Sequence, residues 1–276
     1  MPTVVEHKLL SALCIILALA ATIALIAGCS AGDSGAAAPT PEQLTVKVVK
    51  TLPYAPQTFT EGLVVDGDYL LVSAGMKGRS SLSRRDIATG EVVQQVDLDP
   101  QYFGEGITRV GDTIWQMTYQ DGIAFRYDAQ TFAPTGQAHY TGEGWGLCSF
   151  NDSDPATMYM SDGTAELRVL NAADFSEQSR VTVTESGTPV TKINELSCAP
   201  DGTLYANVFL TDWILKIDPT SGAVLARIDA SALRPAETKG DINAVLNGIA
   251  HIPGTDRFYV TGKDWTVMYE VEFVTA

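Results

Sequence analysis

Basic side chains are scarce: 18 Lys and Arg stand against 33 Asp and Glu, a formal net charge of −15. Binding of phosphate backbones needs basic clusters, so nucleic acid is excluded as a partner. The acidity reads as a solvated surface, with a mild preference for cationic ligands such as a peptide α-amine. Histidine is nearly absent, and His139 and His251 stand isolated, with no metal-ligand spacing. There is no Ser nucleophile elbow, no phosphate loop and no CxxC. Gly142-Glu143-Gly144-Trp145-Gly146 is glycine-rich but lacks the strand-loop-helix setting of a nucleotide loop. Beyond the N-terminal region no stretch has the period of a long amphipathic helix. Of four cysteines, Cys14 and Cys29 lie in that region. Cys148 and Cys198 are too few for a zinc framework and are left as a disulfide or as two buried thiols.

The one long apolar run, Leu9 to Gly28, carries no charge and is long enough to cross a bilayer. It ends in Leu25-Ile26-Ala27-Gly28-Cys29, small residues before a cysteine at the apolar-to-polar junction. This predicts a lipoprotein-type signal peptide over residues 1–28, with Cys29 lipidated, rather than a plain membrane anchor. Residues 29–43, rich in Ala, Gly, Ser, Pro and Thr, read as a flexible stalk. Residues 44–276 are then the folded, exported part, tethered through lipid on the extracytoplasmic side. Nothing points to an oligomer, and a monomer is the default.

Three kinds of segment recur in fixed order within that part. The first is short and glycine-flanked: Thr60-Glu61-Gly62-Leu63, Gly104-Glu105-Gly106-Ile107, Gly144-Trp145-Gly146-Leu147, Ile193-Asn194-Glu195-Leu196 and Leu246-Asn247-Gly248-Ile249. The second is a strand a few residues on, as in Tyr69-Leu70-Leu71-Val72-Ser73 or Leu204-Tyr205-Ala206-Asn207-Val208. The third is a strand, a polar turn and another strand, as in Ile214-Leu215-Lys216-Ile217-Asp218 turning through Pro219-Thr220-Ser221-Gly222 into Val224. Four strands per unit of roughly 40–50 residues are the mark of propeller blades. Five units predict an all-β, five-bladed β-propeller; a pair of β-sandwiches would not explain the recurrence. The fifth unit lacks an outer strand, and the segment Leu44 to Leu52 is placed to supply it and close the ring.

In a propeller the innermost strands line a central channel, so equivalent positions converge. Here they hold Glu61, Glu105, Trp145, Asn194 and Asn247, with Phe59, Phe103, Tyr119, Phe209 and Trp265 as neighbouring aromatics. Lys263 follows the second strand of the last unit, and Asp162 occupies a comparable place in the third. Each alone reads as a residue bonded to water or a turn. Together they read as a site, because like-charged carboxyls buried beside aromatic walls raise one another's pKa and cost stability.

At these residues the chain resembles the glutaminyl cyclases of the plant and bacterial type, the glutamine cyclotransferase family. The resemblance runs from about Val46 to Phe273. It rests on Phe59-Thr60-Glu61-Gly62-Leu63, Gly78-Arg79-Ser80-Ser81-Leu82, Phe103-Gly104-Glu105-Gly106-Ile107, Glu143-Gly144-Trp145-Gly146-Leu147, Met160-Ser161-Asp162-Gly163, Asn194-Glu195-Leu196, Tyr205-Ala206-Asn207-Val208, Leu246-Asn247-Gly248-Ile249-Ala250 and Thr261-Gly262-Lys263-Asp264-Trp265. Each stretch is unspecific; nine in order are not. The resemblance implies a five-bladed propeller that converts N-terminal glutaminyl residues of peptides or proteins to pyroglutamate, releasing ammonia without cofactor or catalytic metal. It maps the site onto Phe59, Glu61, Phe103, Glu105, Trp145, Asn194 and Lys263. Two positions that are usually Trp in the family are Tyr119 and Phe209 here. The position of Glu61 is Gln in plant members.

On this reading Glu105, between two glycines, shuttles the proton. Glu61 holds the ammonium or raises the pKa of Glu105, and Lys263 or Asn194 stabilises the carbonyl oxyanion. Phe59, Phe103, Tyr119, Trp145, Phe209 and Asn247 bind the substrate. Two other classes compete: a metal-dependent propeller hydrolase of the lactonase kind, since Glu and Asn around a channel also suit Ca²⁺, and a tethered propeller that binds without turnover.

Overall fold

The computed structural model describes residues 40–55, 58–150, 156–238 and 240–276. Cys29, the signal segment 1–28 and the stalk up to residue 39 lie outside the described residues. Strand β1 (Glu42–Pro53) begins two residues ahead of the expected start. Four complete blades follow. Blade one is β2 (Thr60–Asp66), β3 (Tyr69–Ala74), β4 (Ser81–Asp86) and β5 (Val92–Asp97). Blade two is β6 (Gly104–Val110), β7 (Thr113–Thr118), β8 (Ile123–Asp128) and β9 (Pro134–His139). Blade three is β10 (Leu147–Phe150), β11 (Thr157–Met160), β12 (Glu166–Asn171) and β13 (Glu177–Thr182), trailed by a small hairpin, β14 (Thr184–Glu185) and β15 (Thr188–Pro189). Blade four is β16 (Ile193–Cys198), β17 (Leu204–Val208), β18 (Trp213–Ile217) and β19 (Val224–Asp229). Blade five has β20 (Leu246–His251), β21 (Phe258–Gly262) and β22 (Val267–Thr275).

Its fourth strand is β1, antiparallel to β22 from Leu44↔Thr275 to Pro53↔Val267. The expected closure is therefore present. The same strand does something the repeat pattern did not disclose. Its first residues run parallel to β19, from Glu42↔Ala226 to Thr45↔Asp229, so blades four and five share one eight-stranded sheet.

Burial falls from the axis outward. The second strand of blade two is buried along nearly its whole length, whereas the outer β9 is exposed at all but one position. The turns into the outer strands are built by an aspartate. Asp86 Oδ1 accepts from the amides of Ala88 and Thr89, and Asp128 Oδ1 from those of Gln130 and Thr131. Five apolar clusters sit between neighbouring blades, and the aliphatic residue of each repeated motif wedges into one of them: Leu63, Ile107, Leu147, Leu196 and Ile249. Each is at most 1% exposed, and each burial contributes about 1.5–3 kcal/mol.

Cys148 and Cys198, left open by the sequence, form a disulfide with a Cα–Cα distance of 5.5 Å, tying β10 of blade three to β16 of blade four. Closing a loop across a separation of 50 residues restricts the unfolded chain by about 4 kcal/mol in the loop-entropy account.

Candidate active site

The motif carries a conflict. In a regular strand residues i and i+2 share a face, yet Leu63 must enter a blade interface while Glu61 faces the channel. A bulge resolves it. The register between inner and second strands shifts at Thr60/Gly62, Gly104/Ile107, Ile193/Leu196 and Leu246/Ile249, turning the polar side chain away from its aliphatic partner. In blade three the regular strand starts only at Leu147, and Trp145 and Gly146 are held by bonds to the main chain of Ser161. The glycines allow these inner segments to touch: a Cβ on Gly146 would sit 2.2 Å from the Asn194 carbonyl oxygen.

One cavity of about 190 Å³ is lined by Phe59, Glu61, Phe103, Glu105, Tyr119, Trp145, Asn194, Phe209 and Lys263. All nine were singled out in the sequence. They come from starts of inner strands and from the loops after β3-type strands, where Tyr119, Phe209 and Lys263 each follow the last strand residue. A larger cavity, about 340 Å³, lies around Leu63, Thr108, the disulfide and His251 and shares none of these residues. Size does not mark the site here; the converging polar groups do.

Glu61 is 1% exposed. Its Oε1 accepts from Lys263 Nζ at 2.7 Å and its Oε2 from Asn247 Nδ2 at 3.1 Å. Burial pushes its pKa up to about 7, against the pull of Lys263 and of a hydrogen bond with Glu105. Glu105, buried beside it, is raised well above the usual carboxylate range, first by burial and then by the charge of Glu61. The two carboxyls therefore titrate as a pair sharing a proton. Glu195, fully buried, reaches from blade four to blade one, where its Oε1 accepts from the Leu63 amide at 2.8 Å. Burial raises its pKa as well.

The aromatic walls form a chain. Tyr119 and Phe103 have centroids 5.8 Å apart, Phe103 and Phe59 6.1 Å, and Phe209 and Trp145 5.4 Å. Lys263 Nζ bridges the gap, 4.7 Å from the Phe59 centroid and 5.4 Å from that of Phe209.

Three residues land elsewhere. Asn247, expected to bind substrate, does not line the cavity. It is fully buried behind Glu61, its Nδ2 donating to Glu61 and to the Thr60 carbonyl. Trp265 is not a wall either; it packs in the apolar cluster between blades four and five, with Nε1 donating to the Ala244 carbonyl. Asp162 pairs with Arg168 at 2.8 Å and stays off the cavity.

Three others were not singled out for the site. Gly75 underlies the floor: a Cβ there would meet the Phe103 ring at 2.6 Å and Glu61 Cγ at 3.0 Å. It occupies in blade one the place of Tyr119, Phe209 and Lys263 in their blades, so the repeat alignment was the signal. Glu195 follows Asn194 within the motif, and Glu143 precedes Trp145. Among the described residues no three His, Cys, Asp or Glu side chains are grouped to hold a metal ion.

A family model described as glutamine cyclotransferase matches residues 19–273. The glutaminyl-peptide cyclotransferase of Arabidopsis thaliana is 32% identical over 235 residues, 84% of this chain and 72% of that protein. The crystal structure of Myxococcus xanthus glutaminyl cyclase superposes with a TM-score of 0.79 at 33% identity, covering 86% of this chain and 99% of the other.

Proposed function

Because the chain belongs to the glutamine cyclotransferase family, we propose that it is a glutaminyl-peptide cyclotransferase in which Glu105 moves the proton. The observation that carries the assignment is the buried Glu61–Glu105 pair beneath an aromatic belt, with a fixed ammonium at one side. A cavity of about 190 Å³ admits one residue, so the N-terminal glutamine enters and the rest of the peptide stays outside.

The reaction is intramolecular. The site has to select the folded rotamer, which the aromatic walls do by enclosing the side chain. The entering α-ammonium first gives one proton to the Glu105 carboxylate, and the freed amine forms a bond to the side-chain amide carbon as the carbonyl electrons move to oxygen. The Asn194 amide, on the cavity wall, and the Lys263 ammonium face the resulting oxyanion. Glu105 hands that proton to the former amide nitrogen and takes up the second proton of the attacking nitrogen. Collapse of the adduct breaks the bond to the former amide nitrogen, which leaves as ammonia, and the proton left on Glu105 departs with it as ammonium or to solvent.

Glu61 is less suited to that exchange, since both its oxygens are already engaged. Its role is to hold Lys263 and to keep the pKa of Glu105 high. An incoming α-ammonium, with a pKa of about 7.7–8.0, lowers Glu105 into the range where it accepts and returns a proton at neutral pH. No step needs a metal.

The test is to incubate the folded part with a Gln-initiated peptide, with and without EDTA. Ammonia release in step with the loss of one NH₃ from the peptide mass, unchanged by EDTA, is expected. Peptide bound without turnover, or turnover abolished by chelation, would overturn the reading.

We further propose that the enzyme is exported and held on the membrane by lipid on Cys29. The support is the uncharged Leu9–Gly28 run and the small-residue box before that cysteine. The N-terminal peptide of membrane-recovered protein should begin at a diacylated Cys29; an unmodified Cys29 in an intact leader would refute it.

A further inference from the structure

The aromatic chain around the cavity has one break that no ring contact spans, between Trp145 on blade three and Tyr119 on blade two. Glu143 stands there. Its Oε2 accepts from the Trp145 indole Nε1 at 3.0 Å and its Oε1 from Gln120 Nε2 at 2.8 Å. Gln120 adjoins Tyr119, whose carbonyl in turn accepts from the Gly144 amide at 3.0 Å. Two donors from two loops thus converge on a single half-buried carboxylate, and one of them, Trp145, belongs to the cavity wall. Charge-assisted bonds of this kind are about twice as strong as neutral ones.

The belt then closes in order: Tyr119, Phe103, Phe59, Lys263, Phe209, Trp145, and Glu143 back to Gln120, the neighbour of Tyr119. A cation completes it at one place and an anion at another. We propose that Glu143 is a positioning residue of the cyclisation, a clasp that fixes the Trp145 indole to the loop carrying Tyr119 and places one negative charge beside the cavity that receives the α-ammonium. This rests on the cyclotransferase reading above.

A residue that only tied two loops together would not alter the ionisation of Glu105. Glu143 does reach it. Glu105 is faced by Glu61 from β2, Lys263 from the loop after β21, Glu195 from β16, and Glu143, Tyr119 and Tyr140 from the loops of blades two and three. The charge of Glu143 is among those that raise the Glu105 pKa. Removing it has a defined sign: Glu105 ionises at lower pH.

The experiment compares wild type with Glu143→Gln and Glu143→Ala across pH, using a Gln-initiated peptide and reading kcat and KM separately. Glu143→Gln keeps an oxygen for the indole N–H but loses the charge. Its acid limb in kcat/KM should move down by roughly half a pH unit, the size of one screened charge across a cavity, with KM raised less than about threefold. Glu143→Ala should show the same displacement together with a KM raised about tenfold, a loss of binding at little cost to kcat. That tenfold rise equals about 1.4 kcal/mol, the range of a lost charged hydrogen bond. Thermal melts establish that each variant is folded.

Wild-type pH profiles and KM in both folded variants would overturn the inference while leaving the cyclotransferase reading intact. Absence of ammonia release by the wild type from any Gln peptide would instead sink that reading. A variant that fails to fold is replaced by Gln120→Ala, which removes the donor on the Tyr119 loop. That change should raise KM without moving the acid limb; an unchanged KM would again count against the clasp.

Discussion

Replacing Glu105 by Gln is expected to lower kcat/KM at least 100-fold and, at the same time, to make the protein more stable above neutral pH. The loss follows from removing the group proposed to exchange protons with both nitrogens, a role usually contributing about 10²–10⁴. The gain follows from linkage. Glu61, Glu105 and Glu195 all have folded pKa values above those of the unfolded chain, chiefly through burial. The native state therefore holds protons that the unfolded chain releases. Their contribution to stability is complete below the ordinary carboxylate value of 4.5 and is lost as pH rises through the folded value, about 7 for Glu61. Between those limits the wild type should weaken with rising pH. Glu105→Gln takes one carboxyl out of that set, and its melting temperature should exceed the wild type's at pH 8 by more than at pH 5. Thermal melts across this range decide it. A variant that is equally pH-sensitive, or that keeps its turnover, would show that Glu105 is neither buried in this way nor central to the chemistry.

The second large effect is expected at Lys263. Its ammonium is the counter-charge of Glu61, 2.7 Å away, with the two side chains 8% and 1% exposed. A buried pair contributes little net stability, because desolvation offsets attraction. Removing one partner is another matter, costing about 3–5 kcal/mol for the stranded charge. Lys263→Met should lose about that much at pH 8 and distinctly less at pH 5, where Glu61 takes up a proton and no longer needs the cation. Activity should fall by two orders of magnitude or more, since the cation is also proposed to face the oxyanion. The double variant Lys263→Met/Glu61→Gln should recover most of the stability and none of the activity. The interaction energy of that cycle isolates the pair. If the single variant is as stable as wild type at every pH, the pair is not sequestered as described.

Much of this was legible in the sequence because propeller blades repeat. Aligning five copies of one motif identified Glu61, Glu105, Trp145 and Asn194 as facing a common axis, with no knowledge of strand register. What the alignment could not supply was depth. Asn247 occupies the same motif position as Glu105, yet it serves as a support because Glu61 lies between it and the cavity. Trp265 follows Lys263 closely in sequence, but Asp264, with φ at 57°, bends the chain so that the indole turns back into the blade interface. The disulfide was undecidable for the same reason: only the adjacency of β10 and β16 brings two cysteines together across 50 residues. Glu143 escaped notice as a site residue because its function lies in what it holds, and a glycine-rich loop gives no sign of which donors will converge on it.

The double pairing of β1 also constrains how the molecule is made. The first strand of the propeller has its partners, β19 and β22, in the last two blades of the sequence. Blades one to three assemble from neighbours in sequence, but the circle cannot be sealed until β22 has been made. Contacts of such long sequence separation slow folding, and until they form both β19 and β22 offer open strands to other molecules.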